Sequence, residues 1–149
     1  MSEATEAGGL RPPLVMSARD HERLVALAGV VARRNPLVAR LLREEADRAE
    51  VVPAEALPPG VVAVGSEVEF LDTATGEARW VRVVLPGEAD IAEGRISVLS
   101  LVGAGLIGLS EGQSIDWPTQ DGRLRRLTVL RVRAPGAPAG GGEGAAALA

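Results

Sequence analysis

Leu24, Leu27, Ala28 and Val31 recur at the i, i+3, i+4, i+7 spacing of a single helix face. The start of that amphipathic helix is marked by Ser17, an N-cap type, with Asp20 three positions on in capping-box spacing. Asp20 and Glu22 suit the positive end of a helix that begins at Ala18 and closes on Arg33 and Arg34. Asn35-Pro36 is a second start signal, with Asn as cap and Pro at the first helical position. The helix it opens carries a seam of Leu37, Val38, Leu41, Leu42 and Ala49 and runs to about Val51. Arg40, Arg43, Glu44, Asp47 and Arg48 take its other faces, where Arg40-Glu44 and Arg43-Asp47 are i, i+4 pairs. The short joint predicts an antiparallel helical hairpin within residues 14–52.

After a Pro-rich linker over residues 53–60, with room for one helical turn, the pattern changes to that of strands. Val61 to Asp72 is Val-rich, with Val68 and Phe70 alternating against Glu67 and Glu69, and Asp72 to Gly76 reads as a turn. Glu77 to Leu85 is apolar on both faces around Trp80, Val81, Val83 and Val84, the mark of a central strand. Ile96 and Val98 supply a short third strand. Ser100 caps a Gly/Ala-rich helix whose Gly103, Gly105 and Gly108 weaken it in isolation but let it lie close to a sheet. Gln113 to Trp117 and Leu124 to Arg133 complete the pattern. The expected class is α+β: a short helical hairpin, then a mainly antiparallel sheet with one short helix over residues 61–133. Residues 1–13 and 134–149 are poor in large apolar groups and are expected to be disordered.

The composition removes several chemistries from this frame. The chain has 149 residues, no cysteine and one histidine, and all sixteen of its basic residues are Arg. Thiolate catalysis, multi-histidine or cysteine metal sites, lysine Schiff bases and a P-loop lysine are thereby excluded. A net charge of −4 argues against independent binding of nucleic acid. Only Phe70, Trp80 and Trp117 are aromatic, which leaves stacking platforms and aromatic pockets poorly supplied. No apolar run is long enough for a membrane span, and MSEATEAGG lacks the basic start of a secretory signal, so a cytoplasmic protein with no membrane partner is expected.

Single residues say little more. His21 reads as an exposed helix-surface residue, and Glu44, Glu45, Asp47 and Glu50 as a solvated charged face compensated by arginines. Ser110-Glu111-Gly112 and the Gly-rich helix match neither GxGxxG nor GxxxxGK[ST], so they are read as turn and packing elements. Arg123, Arg125, Arg126, Arg131 and Arg133, joined by Arg79 and Arg82, form the one basic concentration. With Glu111, Asp116 and Asp121 nearby, they read as a salt-bridged sheet surface. No catalytic residue, cofactor or metal site is predicted.

The run over residues 88–133 closely resembles the C-terminal domain of the Gre family of bacterial transcription factors. The resemblance lies in Glu88-Ala89-Asp90, Gly94 followed by Ile96-Ser97, Ser100 before Val102-Gly103, Leu106-Ile107-Gly108, Gly112, and the Asp121-Gly122 turn. With the short hairpin upstream, it looks most like the nucleoside diphosphate kinase regulator (Rnk) branch, in which GLxxGxSIxW is a familiar stretch.

That resemblance implies an FKBP-like C-terminal domain docking on RNA polymerase at the rim of its secondary channel, with DNA met only through the polymerase. In the cleavage factors, acidic residues at the hairpin tip help hold a metal ion and a water. Here the tip residues Arg33, Arg34 and Asn35 carry no carboxylate, and helices of about 16 residues reach only ~24 Å. Polymerase binding without transcript cleavage is therefore expected, with Asp90, Ser97, Ser100 and Gly103 carried over as the docking surface. Ser100-Leu101 stands where Gre factors commonly have Ser-Pro. The alternatives are a non-enzymatic regulator of nucleoside diphosphate kinase, acting by contact or through expression, and an FKBP-type prolyl isomerase. A monomer is expected.

Overall fold

The computed structural model describes residues 10–135. Helix α1 spans Ala18–Val31 and α2 spans Pro36–Arg48. Both start where the caps stand: Ser17 Oγ accepts the Asp20 amide at 3.1 Å, and Asn35 Oδ1 accepts that of Val38 at 3.3 Å. The reciprocal half of the capping box is not made. The buried Asp20 carboxylate instead accepts the amide of Val64 at 3.0 Å, tying the start of α1 to the second half of the chain.

α2 ends three residues earlier than its apolar pattern suggests. Val52 precedes Pro53, a position that disfavours helical backbone, and Val51 and Val52 are β-branched. Strand β2, Glu50–Val52, accordingly pairs in parallel with β1, Val15–Ser17. The chain then makes one 3₁₀ turn at Ala54–Ala56.

A five-stranded sheet follows: β3 Glu67–Asp72, β4 Glu77–Val84, β5 Arg95–Ser97, β6 Ser114–Pro118 and β7 Leu124–Arg133, in the order β5-β4-β3-β7-β6. All neighbours are antiparallel except β4 and β5. β3 starts later than the Val-rich run because Gly65, at φ +97°, and the Ser66 turn interrupt it. Val61 and Val62 lie instead along Leu109 and Ser110, where the Val62 amide donates to Leu109 at 2.8 Å. Between β5 and β6 sits the short helix α3, Leu101–Leu106.

The two halves share one core. Leu14, Met16, Leu24, Ala28, Leu41 and Leu42 belong to the same buried cluster as Leu106, Ile107, Leu109 and Trp117. Each fully buried leucine contributes roughly 1.5–3 kcal/mol, enough for two short helices that would be marginal alone. Residues 53–60 thus connect parts already joined by packing.

Residues 10–13, assigned by composition to a disordered tail, form a strap across both parts; the rest of each expected tail lies largely outside the described residues. Leu10 exchanges hydrogen bonds with Asp116, its amide reaching Oδ2 at 2.8 Å and its carbonyl taking the Asp116 amide at 2.9 Å. Arg11 lies over the Trp117 ring at 5.5 Å and reaches Glu45 at 3.1 Å. Arg48 holds the other side of Glu45 at 2.8 Å and donates to the Pro12 carbonyl. Glu45, expected on a solvated face, is 1% exposed. His21 is half-buried rather than free, with Nε2 donating to the Ala46 carbonyl of α2 at 3.1 Å.

Removing one partner from a buried ion cluster leaves the others desolvated and unpaired. Because Arg11 and Arg48 stay over a quarter exposed, Glu45→Ala is expected to lower stability by about 1.5–3 kcal/mol in urea titration. A loss below about 1 kcal/mol, the scale of surface pairs, would mean the strap does not depend on Glu45.

Candidate functional site

Ser97, Ser100 and Gly103 are brought together at the joint between β5 and α3. Ser100 caps α3: its Oγ accepts the Gly103 amide at 3.1 Å and donates to the Ser97 carbonyl at 2.6 Å. The Ser100 amide reaches the same carbonyl at 2.9 Å, while Ser97 Oγ accepts the Leu99 amide. A Cβ on Gly103 would lie 2.1 Å from the Ser97 carbonyl oxygen, and one on Gly105 would lie 2.9 Å from the Trp117 indole. Trp117 Nε1 donates to the Leu101 carbonyl at 2.7 Å. The helix is seated directly on strand and indole because these positions have no side chain.

Gly103 is buried, so it shapes the joint and presents no side chain to a partner; Ser97 and Ser100 are half-buried. Asp90 is exposed at the other end of β5. It exchanges two backbone hydrogen bonds with Arg95, and the side chains pair at 3.6 Å. Arg95 Nε also donates to the Glu88 carbonyl, and Gly94 turns the chain at φ +76°. The exposed turn is therefore rigidly braced, and sequence reasoning did not single out Arg95.

At the far end of α1 and α2 the link presents Arg33 and Arg34 to solvent, while Asn35 is occupied as a cap. No ion pair involves either arginine among the described residues. The nearest acid that follows on α2, Glu44, is paired with Arg40 at 3.1 Å. Among the described residues no group of three or more His, Cys, Asp or Glu side chains could hold a metal ion. The link thus offers positive charge and no carboxylate.

Most arginines of the sheet are paired across its surface, while Arg79 lies over the Phe70 ring at 5.7 Å. Glu67 lies between Arg82 and Arg133, Glu69 faces Arg131, and Asp72 holds Arg125 at 3.0 Å. Arg133 also stacks 4.4 Å from the Trp80 ring centre. The acids of β3 carry most of this compensation, a consequence of strand register that spacing along the chain does not reveal. The Arg126 guanidinium, hydrogen-bonded at 2.8 Å, holds the Asp116 carboxyl below its usual value, assisted by the Leu10 amide and opposed by partial burial. On exposed Asp121, the Thr119 hydroxyl and then the Arg123 amide act in the same direction.

A family profile described as "Transcription elongation factor, GreA/GreB, C-term" matches residues 57–134, and one described as "Rnk N-terminus" matches residues 12–52. The interval between them holds the 3₁₀ turn after β2. A protein of Escherichia coli named regulator of nucleoside diphosphate kinase is 34% identical over 122 residues, covering 82% of this chain and 90% of that one. The transcription elongation factor GreA of Nitratidesulfovibrio vulgaris is 34% identical over 132 residues, 83% of this chain and 82% of its own. A solved structure of a GreA/GreB elongation factor from Nitrosomonas europaea matches with a TM-score of 0.64 at 33% identity, over 83% of this chain and all of that one. Among the described residues no helix is long and apolar enough to cross a membrane.

Gly103→Ala gains up to about 1 kcal/mol of helix propensity but forces a carbon into a backbone oxygen. The net expectation is a loss of roughly 1–3 kcal/mol in chemical denaturation, and a stabilised variant would contradict the seat described. The Asp116 carboxyl has a folded value below the ordinary 3.8. Its contribution is present above that ordinary value and lost as pH falls through the lower folded one. Asp116→Asn should therefore flatten the fall in stability below about pH 4, measured by urea titration at stepped pH; an unchanged slope would rule the pair out as a source of acid sensitivity.

Proposed function

We propose a function on one premise: the chain belongs to the GreA/GreB family of transcription elongation factors, with an Rnk N-terminus. On this reading it binds RNA polymerase at the rim of the secondary channel and does not stimulate transcript cleavage. The five-stranded sheet with α3 acts as the FKBP-like docking unit. Its contact surface runs from the braced turn at Asp90 along β5 to the Ser97-Ser100 joint, where Gly103 sets the height of the helix. The paired helices face the channel, and DNA is met only through the polymerase.

The observation that carries the loss of cleavage is the link between the helices. Residues 31–36 read Val-Ala-Arg-Arg-Asn-Pro, and a cationic tip repels the divalent ion that a cleavage factor must help to hold. Helices of 14 and 13 residues extend only about 20 Å, which supports a role at the entrance. As a non-enzymatic regulator the protein acts by occupying the site that cleavage factors use. Trp117 and Phe70 are fully buried and the half-buried Trp80 is stacked by Arg133, which leaves little with which to build an aromatic pocket for a proline ring and weighs against a prolyl isomerase.

A second reading is favoured by the relative named regulator of nucleoside diphosphate kinase: direct contact with that kinase. The two separate in one experiment. Binding to core polymerase is measured with a GreA or GreB factor as competitor, backtracked-transcript cleavage is followed in the same mixtures, and kinase retention is measured alongside. Competition with no added cleavage is expected. Kinase retention without polymerase binding would replace the first reading with the second, and added cleavage would refute the argument from the tip.

A further inference from the structure

Among the described residues the outward face of α1 is left largely exposed, with only the Arg43 side chain of α2 reaching its edge. Val30 is 72% exposed and Val25 44%, with Ala26 and Gly29 exposed beside them. Gly29 is the anomaly. A glycine inside a helix costs roughly 1 kcal/mol relative to alanine, yet this one does not have the positive φ that would require it. The nearest atom to a Cβ placed there is the guanidinium tip of Arg43 at 3.9 Å, an ordinary contact with a flexible side chain. Nothing in the fold demands a glycine at this position, whereas the approach of a second backbone would.

The pattern on this face has a centre of symmetry. Glu22 and Arg33, Val25 and Val30, Ala26 and Gly29 are each equidistant from the midpoint between Leu27 and Ala28. At 3.6 residues per turn the five positions on α1 fall within an arc of about 140°, and Arg33 follows in the link just past its end. This arrangement suits a two-fold interface, in which residue i meets j while j meets i. Laid antiparallel, two such faces bring Glu22 of each chain to Arg33 of the other, valine onto valine, and Gly29 onto Ala26 at the crossing. Among the described residues neither Glu22 nor Arg33 takes part in an ion pair. Arg19 at the rim and Arg43 from α2 are the other charged groups nearest the face.

We propose that the chain forms a two-fold dimer through antiparallel contact of its α1 helices, centred between Leu27 and Ala28, in place of the monomer expected from sequence. One helix face per chain lies at the small end of interfaces, so the association is weak and concentration-dependent. The paired form covers Arg33. On the polymerase reading above it is a reserve from which the binding-competent monomer is drawn.

Sedimentation equilibrium of the full chain from ~5 μM to ~1 mM tests this without reference to polymerase. A reversible monomer–dimer equilibrium is expected. Glu22→Arg and Arg33→Glu should each weaken it by roughly tenfold by setting like charges together. An equimolar mixture of the two variants should restore it by re-creating two opposite-charge pairs. Val30→Glu, at an exposed position that the monomer fold does not use, provides an independent loss, with circular dichroism reporting folding throughout. A wild-type chain still monomeric at ~1 mM, or a dimer untouched by all three substitutions, overturns the proposal. Failure to bind polymerase leaves this result standing and removes only the reserve role.

Discussion

The seat of α3 is the contact on which the rest of the structure depends. Two glycines without side chains let this six-residue helix lie against the Ser97 carbonyl and the Trp117 indole, and the chain leaving it then reaches every other part. The Gly108 carbonyl takes the Val15 amide at 3.1 Å, its amide donates to the Val62 carbonyl, and Leu109 accepts that of Val62. Leu106, Ile107 and Leu109 are fully buried in the common core. A helix so short has little stability of its own; it persists because cap, indole hydrogen bond and burial coincide, and it positions β5 and the Asp90 turn in consequence.

Around that seat, electrostatics act at two depths. At the surface, Arg82, Arg131 and Arg133 lie beside Glu67 and Glu69 of β3 in loose pairs worth at most about 1 kcal/mol each, while the largely buried Asp72–Arg125 pair at 3.0 Å closes the end of the same strand. Below it, Glu45 between Arg11 and Arg48 fastens the strap across α2 and the edge of β6. The strap also covers an edge strand that would otherwise offer unpaired backbone to another chain. A buried cluster of this kind specifies arrangement more than it adds net free energy, and here the arrangement is the orientation of the paired helices on the sheet.

Function follows from what that orientation leaves exposed. The braced turn at Asp90 and the Ser97-Ser100 joint lie at opposite ends of one three-residue strand, which fixes their separation. Among the described residues the link between the helices presents two arginines with no ion pair, and on the reading proposed above that chemistry suits occupancy of a polymerase channel better than recruitment of a metal ion.

The class of the three helices and of the five strands of the main sheet, both helix caps, the hairpin turn at Asp72, the Ser100 cap and the family were legible in the sequence, because each depends on neighbours within a few positions or on a motif read in order; the small β1–β2 pair was not. Cap residues, prolines and apolar periods act locally, and the carboxylate-free link is a matter of composition alone. What depended on distant partners was not legible. Glu45 looks like one acid on a charged face until Arg11, 34 positions away, is brought beside it. Asp20 has the spacing of a capping box until the Val64 amide takes its carboxylate. Residues 10–13 look featureless because their hydrogen bonds go to Asp116 and Arg48. The pattern of α1 supplied both its buried face and the symmetric outer one, but only the packing of α2 and the sheet decided which of these remained open, since burial is a property of the assembled core and of no segment by itself.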